Sequence, residues 1–254
     1  MFRLAAIVLL GFISIATARA AEVKVLAALA VQDALGPLAH QFWRGHGHVV
    51  RIDYSTVGAI RKRLGDGERA DVVVVTAEAA DEMDRTGELV AGTKAPVAAT
   101  RTGLAIRDGT AAPDISTLEK FRAALLAARS VAYTDPKTGG AFGTYFAKEL
   151  DRLGILAAVN AKAVLRRGSH EIVKAVASGD AEVGVTFIST IVSTPGLRVA
   201  GPLPPPLLGV ERFSAGVLRD SAARAAAVDF VQALSDATAA ERWKAAGFEA
   251  PAPR

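Results

Sequence analysis

The chain has 254 residues, 51% of them hydrophobic, with 30 Lys and Arg against 26 Asp and Glu and no cysteine. The lack of cysteine excludes disulfides, thiolate catalysis and cysteine-held metals together. A net charge of +4 is too mild to argue for nucleic acid or a membrane surface, and no basic stripe interleaved with aromatics accompanies it.

The first 20 residues read as a secretory signal peptide. Met1-Phe2-Arg3 is a short positive start, Leu4–Ile15 is almost wholly apolar, and Thr17–Ala21 holds an A-x-A cleavage site. The apolar stretch falls short of the roughly 20 residues a membrane span needs. Removing Arg3 and Arg19 leaves a formal charge of +2. Export to the periplasm is expected. No later stretch is apolar for long enough to span a bilayer, so a soluble protein is expected, held by its cores alone.

Strand and helix signals then alternate. Val23–Ala28 reads as a strand, and Leu35, Leu38, Ala39 and Phe42 recur at helical spacing. Val49–Tyr54 is the next strand, Ile60–Leu64 a short basic helix, and Val72–Val75 a strand apolar enough for burial on both faces. Leu104–Ile106 and Ser130–Tyr133 read as strands around a helix at Ile115–Ala127. Phe142, Tyr145, Phe146, Leu150 and Leu153 mark one helical face. Glu171–Ala177 is a further helix, Val183–Phe187 a buried strand, and Pro202–Pro206 an extended stretch. Phe213–Leu218 closes the strands, and helices at Ala222–Leu234 and Ala239–Ala246 close the chain. This alternation predicts parallel-sheet α/β layers, and any two lobes should be interwoven rather than sequential.

Four strand-to-helix turns carry the chemical interest: Ala27–Ala30, Ser55–Gly58, Thr134–Gly143 and Arg166–Glu171, the last with Ser169 as its expected N-cap. The start of a helix exposes unpaired N–H groups and a partial positive charge, which suits an anion. Ligands of open α/β sheets gather beyond the carboxyl ends of strands. Each turn taken alone reads equally as a simple helix cap.

The ordered set VKVLAALAVQDALGPLAHQF, DYSTVGAIRKRLGDGERADVVVVTAEAADEM, YTDPKTGGAFGTYFAKELDRLGI, AVASGDAEVGVTF, RFSAGVLRD and ERWKAAGFEAP resembles the periplasmic molybdate-binding proteins of ABC transporters. The resemblance spans nearly the whole mature chain. It implies a type II periplasmic-binding fold, with one lobe of residues 21–100 and 212–254 and another of residues 101–211 closing over a ligand. It also implies an inner-membrane ABC permease as partner, a monomer, and no cofactor.

The family's ligand positions map onto residues that lack the family's hydroxyls. The first gripping serine falls at Ala30, and the second at Val57, between Thr56 and Gly58. The third turn's small residue matches Ala141 or Phe142, next to Gly140. The fourth turn's backbone donor falls near Ser169, and the ligand tyrosine matches Phe187. Each missing donor to a buried dianion costs about 1–3 kcal/mol. Backbone N–H groups survive such substitutions, and Thr56 and Ser169 offer hydroxyls. A small carboxylate, held by backbone donors and packed against Val57, Phe142 and Phe187, therefore fits better than molybdate or tungstate. Arg61, Lys137, Arg166, Arg167 and His170 stand near the turns as partners for a second carboxylate.

Rival functions find less support. Ser169 and His170 are adjacent in sequence, and neighbours at a helix start do not face each other, so no nucleophile–base pair is read there. No G-x-S-x-G, phosphate-loop or H-E-x-x-H motif occurs. His40, His46 and His48 cluster without a carboxylate at ligand spacing, so no metal site is expected. Asp81, Glu82 and Asp84 read as a solvated face. The expected function is capture of a small anion for transport, without catalysis. The alternatives are a molybdate or tungstate binder using backbone donors, or a sensor reporting to a membrane signalling partner.

Overall fold

The computed structural model describes residues 21–138, 141–207 and 209–249. The signal-peptide segment and Gly140 lie outside these described residues. Two sheet regions share one long strand. In the first, β1 (Glu22–Ala28) pairs in parallel with β2 (Val49–Ser55) and β3 (Val72–Thr76). In the second, β5 (Val131–Thr134) pairs in parallel with β6 (Ala163–Arg166) and β7 (Val183–Phe187).

The link between them is β4 (Ala95–Arg107), whose first half pairs antiparallel with β9 (Val210–Val217). Its second half pairs antiparallel with β7 and with β8 (Leu197–Pro202). The layers are thus mixed rather than parallel throughout, because β4, β8 and β9 run against their neighbours. The sequence suggested only Leu104–Ile106 as this strand, since Thr100-Arg101-Thr102 interrupts its apolar run. Those polar residues mark the passage between the sheets. Thr100 is fully buried, and its hydroxyl accepts from the Ser189 N–H at 3.3 Å.

Helices cover both sheet regions. In chain order they are α1 (Gln32–His46), α2 (Val57–Gly65), α3 (Ala77–Arg85), α4 (Leu118–Ala127) and α5 (Ala141–Arg152). There follow α6 (Leu156–Asn160), α7 (Ser169–Ser178), α8 (Ile188–Val192), α9 (Arg224–Ser235) and α10 (Ala237–Ala245). The hydrophobic clusters respect the two sheets. One joins Val23, Val25, Leu35 and Phe42 to Phe213, Phe230 and Trp243, near the two ends of the chain. Another joins Leu104, Phe121, Tyr133, Phe146 and Leu150 in the middle of the chain. Val72–Val75 are all completely buried, as an all-valine strand between two helical layers should be.

Asp71 ties the return of the chain to its start. Its buried carboxylate accepts from the Lys24 N–H at 2.8 Å, the Ser221 hydroxyl at 2.7 Å and the Ala223 N–H at 3.0 Å. Burial alone raises a carboxyl pKa, but these donors outweigh it and hold Asp71 below its ordinary value. His46, the last residue of α1, and His48, just before β2, pack against Phe42. His46 stacks on Phe42, and His48 Nδ1 accepts from the Ala21 N–H. Among the described residues no group of three or more His, Asp or Glu is placed to hold a metal. Lys94 pairs with Asp81 and Asp84 on the face of α3. Among the described residues, no helix is long and apolar enough to cross a membrane.

Candidate ligand cleft

Strand register brings the turns together in pairs. Ala28 lies opposite Ser55, so the turn at Leu29-Ala30 sits beside the turn at Thr56-Val57. Thr134 lies opposite Arg166, so the chain entering α5 sits beside the chain entering α7. The two pairs then face each other. Nε2 of His170, the second residue of α7, lies 3.2 Å from Oδ1 and 3.1 Å from Oδ2 of Asp33, the second residue of α1. Residues 137 positions apart thus join the amino ends of two helices from different sheets across one cleft.

The local hydrogen bonding shows which backbone donors remain free. At α2, Thr56 is the N-cap and its hydroxyl accepts from the Ala59 N–H at 3.3 Å, while the Ile60 N–H bonds Thr56 O. Among the described residues, the N–H groups of Val57 and Gly58 are left over. At α7, the N–H groups of Glu171 and Ile172 both go to Gly168 O, which leaves Ser169 and His170 without a partner among the described residues. Here a sequence expectation is corrected. Gly168 in extended conformation takes the cap position, with no side-chain cap, and Ser169 is the first helical residue. Its hydroxyl is therefore not used for capping.

The substituted side chains take the places apolar groups prefer. Ala30 and Val57 pack against the core of the first sheet, so what they offer a ligand is backbone. Phe142 stacks on Phe146 with centroids 5.8 Å apart, and its ring lies 6.1 Å from that of Phe187. These aromatics form an apolar wall beside the opening of α5, where Ala141 is the first helical residue. Of the basic residues expected nearby, Arg61 approaches Glu88 at 3.5 Å, within its own sheet region. The Arg166 guanidinium donates to the adjacent Leu165 O at 3.0 Å. Arg167 and Lys137 are exposed, and among the described residues neither meets a carboxylate through its side chain.

Two residues that sequence reasoning did not place in the site belong to it. Asp33 was visible only as an acidic residue in a first helical turn, and Tyr54 only as the end of a strand. Both join it through packing of α1 on β2. The Tyr54 hydroxyl is buried and bonds to nothing among the described residues. Burial, and then the charge of Asp33, push its pKa up to about 12. A hollow of about 360 Å³ lined by Ile115, Ala200 and Pro202–Pro205 lies along β8 and contains none of the expected site residues.

Residues 23–249 match the family described as bacterial extracellular solute-binding protein. The chain belongs to that family. Binding of a small solute outside the cytoplasm follows from membership. The chain is 29% identical over 199 residues to a Pseudomonas protein named aconitate isomerase, covering 78% of this chain and 74% of that one. The periplasmic molybdate-binding protein of Azotobacter vinelandii shares its fold with a TM-score of 0.72 at 22% identity, over 90% of this chain and 99% of that one. The sulfate-binding protein of Mycobacterium tuberculosis does so with a TM-score of 0.68 at 18% identity, over 92% and 88%. The fold is therefore the type II periplasmic-binding fold, two interwoven α/β lobes around a cleft. These neighbours are binding proteins, whereas the Pseudomonas relative carries the name of an enzyme.

Proposed function

We propose that the protein captures a small organic carboxylate in the periplasm, as a monomer, and hands it to an inner-membrane ABC permease. The observation that carries this reading is the pairing of free backbone N–H groups at Val57, Gly58, Ser169 and His170 with apolar Ala30, Val57, Phe142 and Phe187. Backbone donors grip a carboxylate, while apolar walls suit the carbon skeleton that an inorganic oxyanion lacks. The Ala141 N–H joins the donor set at the start of α5, and Thr56 keeps a hydroxyl proton to give. The curated relative's name points the same way, since aconitate is a tricarboxylate. Lys137, Arg166 and Arg167 are then cations for a second or third carboxylate.

Closure supplies the affinity. The lobes divide at residues 100/101 and 211/212, close to where β4 passes between sheets at Thr100–Thr102, and the ligand stabilises the state in which both meet.

Thermal-shift titration of the mature protein tests the reading. Molybdate, tungstate, sulfate and phosphate are compared with small mono-, di- and tricarboxylates. Ligand at 100 times its Kd stabilises by about 2.7 kcal/mol. At about 2–4 °C per kcal/mol for a chain of this size, the melting point rises by roughly 5–11 °C. Stabilisation by carboxylates is expected. A response confined to molybdate and tungstate overturns the assignment and shows that backbone donors suffice for an oxyanion.

A further inference from the structure

The flank of α1 beside α10 carries a hollow that the cleft does not use. Gly36, Pro37, His40, Gln41 and Arg44 recur at the spacing that places residues along one side of a helix, and Arg242 of α10 joins them around about 460 Å³. His40 stands about 10 Å of helix rise beyond Asp33, so the hollow is separate from the cleft. Three of its groups are basic and none is acidic. Among the described residues, the guanidiniums of Arg44 and Arg242 meet no acceptor. The His40 ring makes no hydrogen bond there either, and lies against Trp43 with centroids 5.5 Å apart. Elsewhere arginines with a carboxylate in reach take it, as Arg63 takes Asp53 and Glu68, and Arg101 takes Glu249. The Gln41 Oε1 is buried and also lacks a partner among the described residues. Solvation accounts for each exposed arginine singly. It does not account for a buried amide oxygen in need of a donor at the same place.

We propose that this hollow is a second binding site, independent of the cleft, for a small hydroxylated phosphate ester. A phosphoryl group presents three outer oxygens, which two guanidinium forks and an imidazole take from different sides. His40 has an N–H to give in either protonation state. A planar carboxylate fills one fork and leaves the other empty. The Gln41 oxygen can only accept, so it requires an O–H. A hydroxyl on the alcohol part of the ester supplies one, and sulfate does not. The hollow is also larger than a bare anion needs and falls in the range of about 300–1,000 Å³ usual for small-molecule sites. Gly36 and Pro37, which project little from the helix, leave that room.

Isothermal titration of the mature protein with glycerol 3-phosphate tests the proposal, with methyl phosphate and sulfate at matched ionic strength as comparisons. Trp43, beside His40, is 47% exposed and Trp243 is 1% exposed, so a change in exposed-tryptophan fluorescence on titration locates the ester. Glycerol 3-phosphate is expected to bind about tenfold or more tightly than sulfate. Arg44→Ala and Arg242→Ala are each expected to weaken it by about tenfold or more, with the melting point of the ligand-free protein unchanged. Gln41→Leu keeps both arginines and is expected to erase the preference for glycerol 3-phosphate over methyl phosphate, which has no hydroxyl to give. Equal binding of glycerol 3-phosphate and sulfate overturns the proposal, because charge alone then suffices. Binding that survives the two arginine substitutions together lies elsewhere and overturns it as well. No binding of glycerol 3-phosphate overturns it and leaves the carboxylate reading of the cleft standing.

Discussion

Two glycines at corresponding helix starts make opposite predictions. A Cβ on Gly143, in the first turn of α5, falls 2.7 Å from the carbonyl oxygen of Thr134 and 3.1 Å from that of Asp135. Comfortable C···O separation is about 3.3–3.6 Å, so α5 must retreat from β5 by roughly 0.6 Å or more. The obstacles are backbone atoms at the end of a buried strand and cannot swing aside. Gly143→Ala is expected to cost about 1–3 kcal/mol, typical of overpacking. The melting point then falls by roughly 2–12 °C. Retreat of α5 also moves the N–H groups of its first residues away from the ligand. Losing one charged hydrogen bond of about 1.5–3 kcal/mol lowers carboxylate affinity by roughly ten- to a hundredfold. Gly58→Ala, in the first turn of α2, meets nothing within 4 Å and keeps its N–H. It is expected to stabilise by about 0.5–1 kcal/mol with affinity unchanged. Thermal melts and isothermal titration of both variants decide the matter. A Gly143→Ala protein that melts within a degree of wild type refutes the close approach of α5 to β5.

Asp71 and Tyr54 give two further expectations. Because hydrogen bonds hold Asp71 below its ordinary 3.8, its stabilisation is full above the unfolded carboxyl's pKa and is lost as pH falls through the folded one. Asp71→Asn is expected to lower stability by about 1–3 kcal/mol at pH 7 and to flatten the fall of melting temperature between pH 5 and 3. An unchanged slope contradicts the assignment. Tyr54→Phe removes a buried hydroxyl that has no partner among the described residues, so the ligand-free protein is expected to melt at the same temperature or a few degrees higher. A drop of more than about 2 °C means that the hydroxyl is paired in solution.

Elements with strong periodicity were legible in the chain itself. Val183–Phe187 coincides with its strand, and Val72–Val75 falls one residue short, because an unbroken β-branched run leaves little alternative. Phe142, Tyr145, Phe146 and Leu150 lie on α5, with Leu153 one residue past its end, and α2 starts at Val57, inside the turn read as Ser55–Gly58. The strand from Ala95 to Arg107 was not legible at full length. Its polar centre looks like a break in one dimension and is a buried crossing in three. β6 and β8 are short strands whose pairing depends on partners distant in sequence.

The sequence by itself determined the α/β alternation, the strand-to-helix turns and the apolar character of Ala30, Val57 and Phe187 beside them. Each of these is a property of a residue or a short window, which local chemistry is enough to read. Tertiary structure decided what meets across the cleft. Adjacent Ser169 and His170 offered no base with a partner, yet folding supplies His170 with Asp33 from 137 residues earlier. It also buries the Tyr54 hydroxyl with no partner among the described residues. Neither fact has a local signal, because each arises from strand register and lobe packing, which bring together groups whose separation along the chain carries no information about their distance.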